Sequence, residues 1–330
     1  MSSVVDVAVH SSQFPEKVRG DLLASLRTRK VSHKFHYDSV KQTQKWLALH
    51  QIYSPSRNDR DCAATYDRAF AGAVGRIKSK SIHVLGLGCG GGQKDTRLLR
   101  LLKLRGRQIA YTPCDVSAAM VLTARQTALS VLPGKRCCPF VCDLGTAADL
   151  PECLVARPPS LVTFFGMIPN FEPPEILPKL ASLIRPQDQL LFSANLAPGR
   201  DYAAGSQKIL PQYDNPQTRD WLMTFLLDLG VERGDGRLTF SLQEGRRGLK
   251  RIVAMFQFNR ARQIAVEPNI FKFRRGEMIR LFFSYRYTPA LVHKILRDHG
   301  LFVLEQWITS SQEEGVFLCG KQRESRPKGG

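Results

Sequence analysis

The stretch of residues 82–94 constrains the fold of this chain more than any other, because five of the seven residues 86–92 are glycine. Residues 82–85 before the glycines are apolar, and the leucines of residues 95–104 after them recur at helical spacing. This pattern predicts a strand, a glycine-rich turn and a helix. Glycine has no Cβ, so such a turn brings backbone amides and a helix N-terminus close to a ligand. We therefore expect a nucleotide-like cofactor at this turn.

The spacing of the glycines separates this turn from two common nucleotide-binding loops. Gly86, Gly88 and Gly90 are too close together for the dinucleotide pattern G-x-G-x-x-G, and Lys94 is followed by Asp95 where a phosphate loop has a hydroxyl. The G-x-G-x-G form after an apolar strand resembles the S-adenosylmethionine loop of Rossmann-like methyltransferases. The resemblance implies that S-adenosylmethionine is the cofactor.

Two acidic residues extend this resemblance. Asp115 ends a strand-like run after the first helix, and Asp143 ends the next one. In Rossmann-like methyltransferases the acid at the first position contacts the ribose hydroxyls, and the second lies where the adenine amine is contacted. The resemblance therefore implies that Asp115 and Asp143 line the cofactor site.

Alternating strands and helices predict an α/β fold. Strand-like runs at 82–87, 108–114, 138–142, 161–165 and 189–194 are separated by helical segments, which predicts a mostly parallel, Rossmann-like sheet with helices on both faces. Ligands bind such sheets beyond the carboxyl ends of the strands. After residue 195 the segment 197–215 is loop-rich. The strand-like runs at 238–242 and 249–258 look antiparallel, and 269–287 is another strand-like run.

We accordingly predict a Rossmann-like cofactor domain with a second, smaller α+β substrate domain. The predicted parts are a weakly structured lead (1–20), a substrate-binding domain (21–60 plus 196–286), a methyltransferase domain (61–195 plus 287–320) and a basic flexible tail (321–330).

Composition limits the partners. The 330 residues are 43% apolar and 23% charged, which is ordinary for a soluble globular protein. The longest nearly apolar run, 161–171, is too short to span a membrane, so we expect a cytoplasmic protein without membrane contact. The net charge of +19 suggests nucleic acid as a partner, but the basic residues are spread along the chain, so this partner is not favoured. The eight cysteines show no C-x-x-C pair, so we expect no metal site and reduced thiols.

Further motifs give a more specific resemblance. They are I-Y-S-P-S-R-N (52–58), L-G-C-G-G-G-Q-K (87–94), Y-T-P-C-D-V-S (111–117), I-P-N-F-E-P (168–173), Q-Y-D-N (212–215) and G-E-M-I-R-L-F-F-S-Y-R-Y (276–287). In this order and spacing they resemble the histidine-specific S-adenosylmethionine-dependent methyltransferases of the ergothioneine pathway, which methylate the α-amino group of histidine. The chain is identified as a distant member of that family.

The resemblance assigns roles to particular positions. It implies a cofactor site lined by Tyr53, Gly86, Gly88, Gly90, Lys94, Asp115, Asp143 and Leu144. It implies that Asn170 and Tyr213 position the amine and carboxylate of the substrate, with Tyr37 nearby. Ser284 stands where the family binds the imidazole, and Met255 is expected on the same wall.

Two departures bear on the function. Gly86 replaces the acid that ends the first strand in the family, and Phe282 replaces the glutamate that grips the imidazole. An imidazole N–H left unpaired beside a phenyl ring would cost about 1–3 kcal/mol. We therefore expect an apolar or aromatic substrate side chain rather than histidine.

The sequence thus predicts an enzyme, an S-adenosylmethionine-dependent N-methyltransferase acting on the amino group of an amino acid or related small amine. Two alternatives stay open at this point. The charge of +19 favours an RNA or protein substrate, and the two departures favour a catalytically silent member of the family.

Overall fold

The computed structural model describes residues 4–154 and 158–321. The strands within these ranges are β1 (Ala8–Val9), β2 (Ser81–Leu87), β3 (Gln108–Asp115), β4 (Phe140–Val141), β5 (Ser160–Phe164), β6 (Gln189–Asn195), β7 (Gly236–Glu244), β8 (Lys250–Phe258), β9 (Arg262–Val266), β10 (Asn269–Phe273), β11 (Met278–Arg286), β12 (Leu301–Ile308) and β13 (Glu314–Lys321). The α-helices are α1 (Pro15–Thr28), α2 (Val40–Tyr53), α3 (Pro55–Asn58), α4 (Arg60–Arg76), α5 (Gln93–Leu104), α6 (Ala118–Ala128), α7 (Leu150–Leu154), α8 (Pro173–Leu183), α9 (Tyr202–Tyr213), α10 (Pro216–Asp228) and α11 (Pro289–Arg297).

The larger sheet has eight strands in the order β1-β4-β3-β2-β5-β6-β13-β12. The strands from β1 to β6 in this order pair in parallel, whereas β13 is antiparallel to both β6 and β12. Two buried apolar clusters pack this sheet against its helices. This arrangement confirms the predicted Rossmann-like α/β fold.

The site is positioned by the reversal of strand order at the centre of this sheet. Strand β2 pairs with β3 on one side and with β5 on the other, so the chain proceeds in opposite directions from β2. At such a switch point the loops beyond the carboxyl ends diverge and leave a crevice. The glycine-rich turn follows β2 at this edge.

A second sheet of three antiparallel strands, β11-β8-β7, stands over the crevice. One face of it joins α1 and α10 in a separate apolar cluster that contains Leu26, Trp221 and Phe282. Its other face, with Val253 and Phe283, packs into the core of the larger sheet. Because β-strand side chains alternate between faces, one sheet serves two cores.

The expectation of a weakly structured lead over residues 1–20 was wrong for its described part. Strand β1 adds to the edge of the larger sheet by pairing with β4, and α1 begins at Pro15. Proline is favoured in the first helical turn, where its missing N–H is not needed. A two-residue strand that depends on a distant partner leaves no periodic signal in the sequence.

The expectation that residues 197–215 are loop-rich was also wrong, because most of this segment is the helix α9. The Asp201 side chain caps this helix by accepting a hydrogen bond from the Ala204 amide at 2.9 Å. Gly205 lets the helix approach residues 197–198, since a Cβ there would lie 2.1 Å from the Pro198 carbonyl oxygen. Because the segment contains glycine and proline, its sequence did not predict this helix, which is stabilised by tertiary contacts.

The strand-like run predicted around residues 269–287 is divided in the structure. A turn at Arg274–Gly276 separates β10 from β11, and β10 forms a hairpin with β9, a strand that the sequence did not indicate. The predicted basic tail lies outside the described residues apart from Lys321. Among the described helices, none is both long and apolar enough to cross a membrane.

Candidate active site

A cavity of about 1060 Å³ lies between the carboxyl edge of the larger sheet and the antiparallel sheet. Its lining includes, of the residues predicted from the sequence, Tyr37, Gly88, Gly90, Lys94, Asp115, Asp143, Leu144 and Asn170. Residues from β2, β3, β5 and the loops after them therefore meet at one place with residues from β11 and α2. The cavity thus lies at the edge of the sheet where the strand order predicts a crevice.

The turn after β2 has the backbone that close contact with a ligand requires. Gly88, Gly90 and Gly92 have φ values of 60°, 51° and 73°, in the left-handed region that glycine adopts without strain. A Cβ at Gly88 would lie 2.5 Å from the Met167 side chain, which would have to move to make room for it. Helix α5 begins directly after the turn and directs its N-terminus at the cavity wall. The turn therefore forms a cradle that matches a cofactor.

Asp115 ends β3 beside this turn and holds it in place. Its carboxylate accepts hydrogen bonds from the amides of Gly90, at 3.0 Å, and Ser117, at 3.1 Å. Burial raises the pKa of Asp115 to about 6, although the backbone amides of Gly90 and Ser117 act in the opposite direction. The carboxylate lines the cavity and has remaining lone pairs with which to accept bonds from a ligand hydroxyl.

Asp143 occupies the neighbouring position after β4. Its side chain accepts bonds from the Gly145 amide at 2.8 Å and the Thr146 hydroxyl at 3.0 Å, and it lies 3.5 Å from Lys34 Nζ. The Asp143 amide in turn donates to the Ser12 hydroxyl at 3.0 Å. The N-terminal segment thus supports the site, which the sequence did not reveal because Ser12 and Lys34 lie in no motif.

Lys94 lines the cavity from the first turn of α5. Its ammonium donates to the Tyr66 hydroxyl at 2.8 Å and lies 4.1 Å from the centre of that ring. Tyr66 is itself hydrogen-bonded to Glu314. Burial lowers the pKa of Lys94, and Glu314 acts against this shift. The lysine is therefore held in a defined position at the cavity.

Gly86 does not line the cavity, and the structure shows what replaces the acid expected at this position. A Cβ at Gly86 would lie 2.2 Å from Oδ2 of Asp95, a residue of α5 that does line the cavity. The Asp95 carboxylate accepts bonds from the Tyr111 hydroxyl at 2.7 Å and the Thr163 hydroxyl at 2.8 Å. A carboxylate is therefore present at the end of β2, but it comes from the following helix.

Asn170 and Tyr37 both line this cavity. Asn170 ends a short 3-10 helix after β5, and its carboxamide makes no hydrogen bond to any other described residue. The Tyr37 ring packs at 6.0 Å from Trp46 and 5.4 Å from Trp221. Burial, and to a lesser degree Asp115, raises the pKa of Tyr37, so its hydroxyl stays protonated.

Tyr213 and Ser284 lie behind the cavity in a polar network. The Tyr213 hydroxyl bonds to Ser284 Oγ at 2.9 Å and accepts from Arg286 Nη2 at 2.7 Å, with Asn195 Nδ2 at 3.5 Å. Neither Tyr213 nor Ser284 belongs to the cavity lining. The roles that the resemblance assigns to them stay predictions.

Phe282 also points away from the cavity, and a register shift in β11 explains why. Arg280 pairs with Met255 and Phe282 with Ala254, so one extra residue, Leu281, interrupts the pairing. Such a bulge reverses the alternation of side chains along the rest of the strand. Arg280 and Phe283 therefore line the cavity, while Phe282 packs against His33 and Trp221. Met255 lies on the face of Arg280 but outside the cavity lining.

Tyr53 is the remaining predicted cofactor residue. Its side chain is 45% exposed at the end of α2 and donates a hydrogen bond to Gln217 at 2.9 Å. It is not part of the cavity lining, although Trp46 and His50 of the same helix are. The structure thus places α2 at the site but brings a different part of that helix to the cavity.

One other cluster has potential metal ligands, but it lies apart from this lining. His10, Asp149 and Cys153 lie within 4.8 Å of one another. Both ring nitrogens of His10 are already engaged, by the Ser12 hydroxyl and by Asp149, each at 2.8 Å. The cluster is therefore an ordinary hydrogen-bonded group.

The fold and this cavity define a Rossmann-like S-adenosylmethionine-dependent methyltransferase, and the roles of the glycine turn, Asp115 and Asp143 toward the cofactor stay predictions. The family model described as histidine-specific methyltransferase, SAM-dependent, matches residues 18–321, and the chain belongs to this family. No curated protein matches the sequence.

Solved structures match this chain only at low similarity. The CcbJ methyltransferase from Streptomyces caelestis is 12% identical with a TM-score of 0.41, covering 78% of this chain and 95% of that chain. The magnesium protoporphyrin IX methyltransferase (ChlM) from Synechocystis PCC 6803, with bound SAH, is 14% identical with a TM-score of 0.45, covering 88% and 98%. Family membership therefore rests on the family model.

Proposed function

We propose that this enzyme transfers a methyl group to the amino group of an amino acid or a related small amine. The observation that carries the proposal is the position of Asn170. Its carboxamide, without another hydrogen-bond partner among the described residues, faces the same cavity as the glycine turn. An amide offers both a donor and an acceptor, which suits the amine and carboxylate of an amino acid. The family resemblance assigns Asn170 the same role.

The chemistry requires positioning more than acid–base catalysis. S-adenosylmethionine supplies a methyl group on a sulfonium, which is a good leaving group. The chain has to orient a neutral amine in line with that methyl at about 3–3.5 Å. Asn170 would orient the amine, and the apolar walls formed by Met167, Phe171 and Phe283 would exclude water and favour its uncharged form.

The nature of the substrate side chain stays a prediction. The expectation of an aromatic substrate rested on Phe282, which lies behind the wall, but Phe283 brings an aromatic ring to the cavity in its place. We also propose that residues 21–60 and 196–286 serve mainly the substrate, because their shared apolar cluster is separate from those of the larger sheet. The pairing of β1 with β4 adds residues 8–9 to the cofactor part.

The proposal is tested by Asn170→Ala. We expect the purified protein to methylate at least one member of a panel of amino acids and small amines, measured by mass spectrometry with S-adenosylmethionine. The variant should lose about a hundredfold in kcat/KM, because a misplaced amine reacts poorly, while its affinity for S-adenosylhomocysteine stays within about twofold.

Asn58→Ala serves as the control, since Asn58 is exposed and outside the cavity lining. Cofactor binding without methylation of any amine in the panel would reject the small-amine substrate and favour an RNA or protein substrate. Failure to bind S-adenosylhomocysteine would favour a silent family member.

A further inference from the structure

The wall of the cavity formed by the antiparallel sheet contains one charged pair that is already satisfied. Arg251 Nη1 donates to Glu172 Oε1 at 3.0 Å, and the Tyr285 hydroxyl donates to Glu172 Oε2 at 2.7 Å. Both Arg251 and Glu172 line the cavity. Because the Glu172 carboxylate is already engaged by Arg251 and Tyr285, it offsets the positive charge of Arg280 only in part.

Arg280 stands beside this pair without a carboxylate partner among the described residues. Its guanidinium carbon lies 4.7 Å from the centre of the Phe283 ring, and both residues line the cavity. Its backbone is fixed by bonds to Arg29 and Val31, each at 2.9 Å, so the side chain starts from a defined point. Burial, and then the charge of Arg251, lowers the pKa of Arg280. A half-buried cation of this kind is costly unless an anion accompanies it.

The other charges on this part of the lining do not supply that anion. Lys30 and Arg246 also line it, and neither has a carboxylate within ion-pair distance among the described residues. Of the acids on this part of the lining, Glu244 is paired with Lys250. Glu175 has no ion pair with a described basic residue, and it is exposed. This part of the lining therefore has three basic side chains without an ion pair among the described residues, Lys30, Arg246 and Arg280, and one unpaired acid, Glu175.

We propose that Arg280 holds an anionic side-chain group of the substrate, so that the substrate is an amino acid or amine whose side chain carries a carboxylate or phosphate directed at β11. This inference rests on the proposed function and deepens it. A guanidinium is suited to the role, since its planar donors bind two oxygens of a carboxylate or phosphate at once. The Phe283 face under the guanidinium restricts its orientation and adds a cation–π contact.

The experiment titrates the protein, saturated with S-adenosylhomocysteine, with matched pairs of amines in a calorimeter. The pairs are glutamate with glutamine and O-phosphoserine with serine, so that one pair tests carboxylate and the other phosphate. The proteins compared are the wild type, Arg280→Gln and, as a matched control, Arg275→Gln. Arg275 is an exposed arginine in the turn before the same strand and lies outside the cavity lining.

We expect the acidic member of one pair to bind the wild type and the Arg275→Gln control at least about tenfold more tightly than its neutral partner. In Arg280→Gln this preference should fall to within about twofold, with unchanged affinity for S-adenosylhomocysteine. The pair that shows the effect identifies carboxylate or phosphate as the group recognised.

Equal binding of neutral and acidic members, a preference that survives in Arg280→Gln, or no binding of any of the four amines would each overturn the inference. The proposed function is judged separately, by methyl transfer to the amine panel. A neutral amine methylated equally well by wild type and Arg280→Gln would leave the N-methyltransferase standing and remove the anion site.

Discussion

At the scale of single residues, the carboxylate at the end of β2 comes from Asp95 of helix α5 and not from the strand itself. Gly86 stands where the family has an acid at the end of its first strand. Oδ2 of Asp95 lies 2.2 Å from the position that a Cβ of residue 86 would take. Asp95 is buried and bonded by Tyr111 and Thr163, and burial raises its pKa. The same space cannot hold a side chain from both positions, so we expect the two positions to be energetically coupled.

This coupling gives a direct prediction. Asp95→Ala should weaken binding of S-adenosylhomocysteine about tenfold, since the carboxylate between Tyr111 and Thr163 is lost, and Gly86→Asp alone should weaken it through the clash with Asp95. The double variant should bind more tightly than the sum of the two effects predicts, because it restores one carboxylate in one space. Calorimetric titration of the wild type, the two single variants and the double variant measures the coupling. Strictly additive effects would contradict the argument that residues 86 and 95 compete for one space.

At the scale of secondary structure elements, α9 illustrates how tertiary contact selects a helix. It lies against β7 and β8, and Tyr202 in its first turn bonds through its hydroxyl to the backbone of Lys250 and Arg286. Gly205 allows this approach because its Cα lies next to the Pro198 carbonyl. The helix thus depends on one position where no side chain fits.

Replacement of Gly205 by alanine should therefore lower the free energy of unfolding by about 1–3 kcal/mol, in spite of the higher helix propensity of alanine. Gly75→Ala is the matched control, because Gly75 also lies in a helix but a Cβ there meets nothing within 4 Å. The control should be neutral or stabilising by up to about 1 kcal/mol. Chemical denaturation measures both, and equal effects of the two substitutions would contradict the packing argument.

At the scale of the whole molecule, the cavity connects the two sheets. Its walls come from loops of the larger sheet on one side and from β11, the segment around His33 and α2 on the other. The antiparallel sheet contributes residues to two of the apolar clusters, and through Val253 and Phe283 it shares one of them with the larger sheet. A ligand in the cavity should consequently stabilise both parts together.

We expect S-adenosylhomocysteine at one hundred times its Kd to stabilise the folded protein by about 2.7 kcal/mol and to shift a single unfolding transition. Differential scanning calorimetry with and without the ligand measures this, with adenine at the same concentration as the control. Two transitions, of which the ligand moves only one, would show that the sheets unfold independently.

The sequence alone determined the parts of the fold and site that depend on local pattern. The glycine turn and the strand ends at Asp115 and Asp143 follow from apolar runs and turn residues at fixed spacing, whereas Asn170 was singled out by the family resemblance. Strand alternation then implied the parallel sheet, because parallel strands joined by helices bring such residues to the same edge. Family resemblance added the cofactor and the expected class of reaction.

Only the tertiary structure decided which side chains face the cavity. The bulge at Leu281 replaces Phe282 with Phe283 on the face that carries Arg280, and one extra residue in a strand leaves no mark on composition. The place of Asp95 beside Gly86 likewise depends on the distance between a helix and a strand. Local pattern fixes which residues can be strand or helix, whereas register and packing, which are non-local, fix where their side chains point.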